Sequence, residues 1–404
     1  MIETPTGWRT VPFWTLFSRT KRIGFADEQL LSVYRDYGVV RRDDRDDNLN
    51  RLGADPAAYQ LVNVGDLAVN KMKTWQGSLG VSPYRGIISP AYFVYEAITN
   101  DDPKFLHYAL RSDRYIENYM QISKGVRPNQ WDLQPEYLDS MRVLLPTLET
   151  QRRIAHYLDR ETGQIDAMIS KLGELSEQLK HLGTQTTAVF GLDDRGEFHE
   201  EDVNSPLAGI PDHWDRSKFG YEFTESTELN GNNPPGPLLS ISEYRGVELN
   251  TRSDGQQASL DVSKYRVVRP GQLAANMMWL NHGGLGVSEL TGYISPDYKA
   301  FWISERFEPR YVHYLFRSRR YIQYFGTIAT GVRPNAQRVT KTSLDLMPIP
   351  VPPLEEQRRI ADHLDDVTSK IDAMLAKVAQ LKDLLTERRA ALITDVVTGR
   401  KDVA

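Results

Sequence analysis

The chain repeats itself. Residues 64–90 (VGDLAVNKMKTWQGSLGVSPYRGIISP) align without a gap on residues 270–296 (PGQLAANMMWLNHGGLGVSELTGYISP), an offset of 206. The same offset recurs at Trp8 and Trp214, at His107-Tyr108 and His313-Tyr314, and at the pentapeptide GVRPN (125–129 and 331–335). It holds again at QRRIA (151–155 and 357–361) and IDAM (165–168 and 371–374), and drifts only to 208 at Leu31-Ser32 and Leu239-Ser240. A period this long marks a duplicated domain rather than a solenoid of about 20–50-residue units. Two copies of one fold on one chain suit a partner that also comes in two halves.

Each copy opens with mixed signals. Residues 86–98 and 293–303, rich in β-branched and aromatic residues and bounded by Gly and Pro, read as strands. Residues 103–121 begin at a proline and carry Phe105, Leu106, Tyr108, Ala109, Tyr115, Ile116 and Tyr119 at helical spacing, which predicts one helix with its twin at 309–325. Strand-like exits follow at 141–146 and 346–352, so the fold class is α+β. Then the pattern changes. Ile165, Met168, Leu172, Leu175, Leu179 and Leu182 step by three and four, and Ile371, Met374, Val378, Leu381 and Leu385 repeat the steps. That is a coiled-coil seam. A helix over about 149–189 would run roughly 60 Å, too long to bury its seam on one small domain. Its economical partner is its own twin, packed antiparallel. The expected layout is a recognition domain at 1–147, a spacer helix at 148–192, a linker at 193–209, a second recognition domain at 210–351 and a second spacer helix at 352–404.

Motifs for catalysis are missing. Asn233-Pro234-Pro235 precedes Gly236, where an adenine methyltransferase needs an aromatic ring to stack on the flipped base. HGGLGV (282–287) lacks the spacing of a dinucleotide loop, and there is no P-loop, no Glu-x-Lys nuclease tripeptide and no H-E-x-x-H. His107 and His313 lie inside helical patterns and read as packing or surface residues. The chain holds no cysteine, which excludes disulfides and thiolate zinc sites. With no signal-peptide pattern and no apolar run of about 18 residues, the protein is expected in the cytoplasm.

Charge points to a polyanion. The net charge is −5, but residues 306–341 hold eight Lys or Arg against one acid, Glu308. Residues 193–228 hold eleven acids against three bases. A basic stretch inside an acidic chain is the footprint of nucleic acid. The sharpest element within it is GVRPN: Arg and Asn read guanine and adenine edges by paired hydrogen bonds, which nominates Arg127, Asn129, Arg333 and Asn335, flanked by Lys124 and Arg338. The preceding helices offer Arg111, Arg114, Arg317 and Arg320 for phosphates. The loops at 70–78 and 276–284 share flanks and differ in content: Asn70, Lys71, Lys73 and Trp75 in one, Asn276, Asn281 and His282, beside Trp279, in the other. Divergent tips on a shared frame fit two readers of different sequences; ordinary loop drift gives the same pattern.

Taken together, PTLETQRRIA (146–155), PPLEEQRRIA (352–361), the IDAM helices, ALITDVVTG (391–399) and IPDHW (210–214) resemble the specificity subunit of type I restriction–modification systems. The resemblance covers essentially the whole chain. It implies two target-recognition domains separated by an antiparallel coiled coil that acts as a ruler, with each domain reading half of a split site on double-stranded DNA. It also implies a non-catalytic chain without cofactor. Two methyltransferase subunits would supply S-adenosylmethionine chemistry, and two motor-nuclease subunits would use ATP and Mg. HLGTQTTAVFGL (181–192) is more polar than ALITDVVTG, a departure at the end of the first helix. A stand-alone DNA-binding regulator and a fused methylase–nuclease are the alternatives; copurification with a methyltransferase separates the first, and the missing cofactor motifs speak against the second.

Overall fold

The computed structural model describes residues 5–44, 56–124, 132–186, 205–231, 233–243, 245–251, 261–331 and 338–403. The chain forms two compact units. One is discontinuous, Met1–Leu172 with Gln380–Ala404; the other is the single stretch Gly173–Ala379.

Both units are built on the same mixed α+β plan, strand for strand. The first has a four-stranded antiparallel sheet in the order Phe17–Thr20, Tyr92–Ala97, Leu67–Asn70, Leu79–Val81. The second has Phe223–Ser226, Tyr298–Ile303, Leu273–Asn276, Leu285–Val287 in the same order. Each unit adds a hairpin (Leu31–Tyr34 with Gly38–Arg41; Leu239–Ser242 with Gly246–Leu249) and a second ribbon (Gln60–Val62 with Gly86–Ile88; Arg266–Val268 with Gly292–Ile294). The long strands read from sequence at 86–98 and 293–303 are each split in two, because Ser89-Pro90 and Ser295-Pro296 turn the chain between strands of different sheets.

The first and last strands of each domain pair as a neck: Arg9–Pro12 with Arg142–Leu145, and Asp215–Lys218 with Pro348–Val351. In the second neck, Pro348 and Pro350 have the same parity, so their missing N–H groups fall on one side of the strand. The first neck shows which side. Leu144 N–H turns away from its partner strand and donates to Tyr115 Oη at 2.9 Å. In the second unit the equivalent tyrosine, Tyr321, instead donates to Pro348 O at 2.9 Å. The prolines therefore cost the ladder nothing.

Each predicted helix over 103–121 and 309–325 is two helices: Pro103–Leu110 and Asp113–Ile122, then Pro309–Arg317 and Arg319–Ile328. The break is a buried serine. Ser318 takes an extended conformation and its side chain caps the next helix by accepting from Tyr321 N; Ser112 is extended in the same way, and its hydroxyl donates to Ala109 O.

The long helices are Leu148–Thr186 and Leu354–Val397. Their first turns belong to the domain cores, through Ile154, Ala155 and Leu158 in one unit and Ile360, Ala361 and Leu364 in the other. In the first unit the end of the second long helix joins the same core, through Ile393, Val396 and Val397. There Lys401 Nζ meets Tyr157 Oη at 2.9 Å and Arg389 pairs with Asp166 at 2.9 Å. The first helix ascends from 157 to 166 as the second descends from 401 to 389, so within this unit they run antiparallel. The seam is half covered. Ile165, Leu179, Ile371 and Val378 are buried, whereas Met168, Leu175, Leu182, Met374 and Leu381 are 41–54% exposed. One heptad position packs and the other stays open. Among the described residues, no helix is long and apolar enough to cross a membrane.

Leu158→Ala or Leu364→Ala should each cost about 2–5 kcal/mol, as buried leucines do, while Met168→Ala should change stability by less than about 0.5 kcal/mol. Chemical denaturation of the three variants checks this; equal shifts would remove the helix starts from the cores.

Candidate nucleic-acid interface

At one edge of each unit, the loop at 70–78 or 276–284 meets the stem that leads into GVRPN. In the first unit, residues 70–78 leave the strand Leu67–Asn70, pass through a short 3-10 turn (Thr74–Gln76) and return at Leu79. Gly77, with φ of 87°, makes the left-handed turn that only glycine takes without strain. The stem of the GVRPN segment is bonded to this loop. Residues 125–131 lie outside the described residues, but their stem is the pair Ser123–Lys124 with Asp132–Leu133. That stem is tied to the first loop by Leu133 N donating to Lys71 O at 3.0 Å. The second unit repeats the device. Its loop has the turn Leu280–His282 and left-handed Gly283, the stem is the Thr330–Arg338 bridge, and the tie is Val339 N to Met277 O at 3.0 Å. Arg127, Asn129, Arg333 and Asn335 all lie outside the described residues.

Several nominated side chains turn out to build this edge rather than line it. Asn70 Oδ1 accepts from Met72 N at 3.0 Å and Lys73 N at 3.1 Å, and Asn276 Oδ1 accepts from Met278 N at 3.1 Å. These are Asx turns, which occupy the amide oxygen that an adenine edge would need. Lys71 is half-buried: its Nζ donates to Pro90 O at 2.6 Å and sits 4.9 Å from the Phe93 ring centre. The half-buried Trp75 donates from Nε1 to Met72 O at 2.9 Å.

Arg317 and Arg320, expected on phosphates, are buried, and Arg111 is half-buried. Arg317 Nη1 donates to Gly283 O at 3.1 Å and Leu285 O at 2.8 Å, and its Nη2 donates to Glu243 O. One guanidinium thus staples the 276–285 loop to the hairpin tip at 242–246. Arg320 Nη1 donates to Ala208 O. Arg111 donates to Arg35 O at 2.6 Å and meets His107 Nε2 at 2.8 Å. These three correct the sequence reading: a guanidinium turned onto internal carbonyls is framework. Burial drops the Arg111 and Arg317 side chains to about 10, still fully charged at neutral pH. Arg114 is half-buried, with its Nη1 unpartnered among the described residues.

Three of the eight cations in the basic stretch at 306–341 are paired with carboxylates of their own unit. Arg306 pairs with Glu222 and Asp215, Arg310 with Asp362 and Asp365, and Lys341 with Asp345. Arg319 and Arg338 keep exposed side chains, the latter on the GVRPN stem.

At the loop tips, Lys73 and His282 are exposed, as are Met72 (48%), Met278 (41%) and Trp279 (53%), whose ring lies 4.8 Å from that of His282. Asn281 is half-buried behind them. Sequence reading passed over the methionines; an apolar residue at the same place in two polar loops was the available signal. At the offset of 206, Lys73 faces solvent in one unit where Trp279 does in the other.

His107 and His313 sit beneath the staples. Neither residue is wholly buried, but the ring tips are enclosed: a Cβ on Gly38 would fall 2.6 Å from His107 Cε1, and one on Gly246 2.9 Å from His313 Cε1. Burial, then the neighbouring arginine, pushes both rings down to about 3. His107 Nε2 faces a guanidinium donor and Nδ1 lies 3.3 Å from Val81 O, which assigns a neutral ring protonated on Nδ1.

Known proteins place this architecture. A family model described as type I restriction modification DNA specificity domain matches residues 308–383. The StySPI type I restriction enzyme specificity subunit of Salmonella potsdam is 30% identical over 91 residues, 22% of this chain and 19% of that protein. The chain thus matches about a fifth of the length of the first curated relatives. The putative MjaX type I specificity subunit of Methanocaldococcus jannaschii is 22% identical over 382 residues, 86% of this chain and 80% of the relative. A solved structure described as "Structural basis underlying complex assembly and conformational transition of the type I R-M system" superposes with a TM-score of 0.68 at 18% identity, covering 98% of this chain and 99% of the other.

Arg317→Ala should cost about 2–4 kcal/mol by leaving buried carbonyls unpaired, with Lys rescuing only part, whereas Arg319→Ala should stay within about 0.5 kcal/mol. Equal small losses on denaturation would return Arg317 to the surface set. Each histidine is neutral when folded and takes a proton when unfolded, so stability is lost as pH falls from 6.5 toward 3. The expected loss is on the order of 1–2 kcal/mol per ring by pH 5, and it should shrink in His313→Gln; an unchanged pH slope would refute the assignment.

On its repeat, its fold and these matches, the chain is similar to type I restriction–modification specificity subunits, with residues 308–383 matching the DNA specificity domain of that family.

Proposed function

We propose that this chain is the non-catalytic DNA-reading subunit of a type I restriction–modification complex in the cytoplasm, and that it recognises a bipartite site on double-stranded DNA. The observation that carries this reading is the loop edge built twice on one frame, with different side chains at matched tips. A shared frame gives both edges the same way of meeting a groove, and divergent tips give each its own sequence. Arg127, Asn129, Arg333 and Asn335 would then read base edges, with Lys124, Arg338, Arg114 and Lys73 on phosphates. The long helices would pair as an antiparallel coiled coil that spaces the two half-sites.

The open half of the heptad seam fits a further role. Exposed Met168, Leu175 and Leu182 on one helix and Met374 and Leu381 on the other offer apolar surface to partner subunits. Two methyltransferase subunits and two motor-nuclease subunits would dock on the protein and bring S-adenosylmethionine, ATP and Mg, so the chain itself needs no cofactor.

The test is affinity. Together with methyltransferase subunits, the chain should prefer one split duplex over scrambled DNA; equal affinity would sink the reading. Alanine at Arg127 or Arg333 should cost about 1–3 kcal/mol of that preference if the contact is bidentate to a base. Competition binding at fixed salt measures it, and an unchanged preference would leave both arginines as turn residues.

A further inference from the structure

Each long helix is fastened to the domain before it at two points, and both points are duplicated. The first is a glutamine in the opening turns with no exposed surface, Gln151 or Gln357. Gln151 Nε2 donates to Asp101 Oδ1 at 2.7 Å and to Pro146 O at 3.1 Å, and its Oε1 accepts from Asp102 N at 2.8 Å. Gln357 Nε2 donates to Arg306 O at 2.9 Å and Pro352 O at 2.8 Å, and its Oε1 accepts from Glu308 N at 2.9 Å. Each amide uses both protons and its oxygen. It links the proline leading into the long helix to the residue that opens the short helix behind the sheet. The second point lies eight residues on, about 12 Å along the helix. Tyr108 Oη donates to Asp159 at 2.9 Å, and Tyr314 Oη donates to Asp365 at 2.6 Å. Lys104 reaches the same aspartate in the first unit and Arg310 in the second.

With one polar attachment, tilt and rotation would rest on the apolar packing of Ile154 and Leu158 or Ile360 and Leu364 alone, which is not directional. Two, separated along the axis, fix both tilt and rotation. Their partners are specific too: a buried glutamine left without its partners would expose unpaired polar atoms to the core, which resists slippage.

We propose that this two-point joint, Gln151 with Tyr108–Asp159 and Gln357 with Tyr314–Asp365, sets the angle at which each recognition domain leaves its helix and so enforces the gap length between the half-sites. These are positioning residues that touch no DNA, and the inference rests on the split-site reading above.

The experiment uses the full chain with methyltransferase subunits. A random duplex pool selected by the wild type yields the preferred site, which is then made with its gap one base pair shorter or longer. The variants are Gln151→Ala and, as a milder change that keeps the rings packed, the pair Tyr108→Phe and Tyr314→Phe. Preference for the native gap over its neighbours should fall by about tenfold, the scale of one mismatched base pair, with half-site preferences retained. Because the chain lacks cysteine, spin labels on cysteines placed at Glu96 and Lys171 give a second readout, and their distance distribution should broaden in the variants. An unchanged gap preference with an unchanged label distance overturns the joint alone. A wild-type pool with no split site in it overturns the reading beneath it and the joint with it.

Discussion

The neck ribbon is the constraint to which each domain is referred. The strand that closes a domain by pairing with its first strand is also the strand that launches the long helix, two residues later. The helix therefore starts from a β-ladder and not from a loose linker, which brings its opening turns within reach of the two-point joint. The sheet, the short helices and the helix's opening turns then share one core, and rotation at this junction would expose Leu158 or Leu364. The neck tolerates quite different sequences, RVLL in one copy and PIPV in the other, because only one side of the strand carries the ladder.

Polar chemistry divides in the same way. Groups that look like binding residues by type are consumed in making the edges rigid: Asn70 and Asn276 fold their loops, and Arg317 ties a loop to a hairpin. What is left at the tips is small and different in each copy. Rigid backbone with a few free side chains is the arrangement in which specificity can diverge without disturbing the fold.

The duplicated architecture was legible at once, because one offset carries the four-stranded sheets, the necks and both long helices, and only the hairpin shifts to 208. The split of each aromatic helix was not, since apolar spacing runs across Ser112 and Ser318 without a break, and a serine reads as neutral until its cap is seen. Arg317 misled for another reason. Its carbonyl cage comes from residues 243, 283 and 285, far away in sequence, and a helix-borne arginine after an aromatic run reads as solvated charge. The heptad seam was correctly spaced but only half buried, since spacing reports what a helix could bury and not what it meets. The loop edge lay between these cases: both segments were legible, whereas their meeting depends on a single backbone hydrogen bond in each unit.

The discontinuity of the first unit has a consequence for synthesis. Its core includes Val396, Val397 and Val403, which the ribosome makes after the entire second unit. The contiguous second unit can close while translation proceeds, whereas the core of the first is incomplete until Ile393, Val396 and Val397 are made. The earlier-made domain is thus the later to mature, and its waiting surface is the one a chaperone would meet.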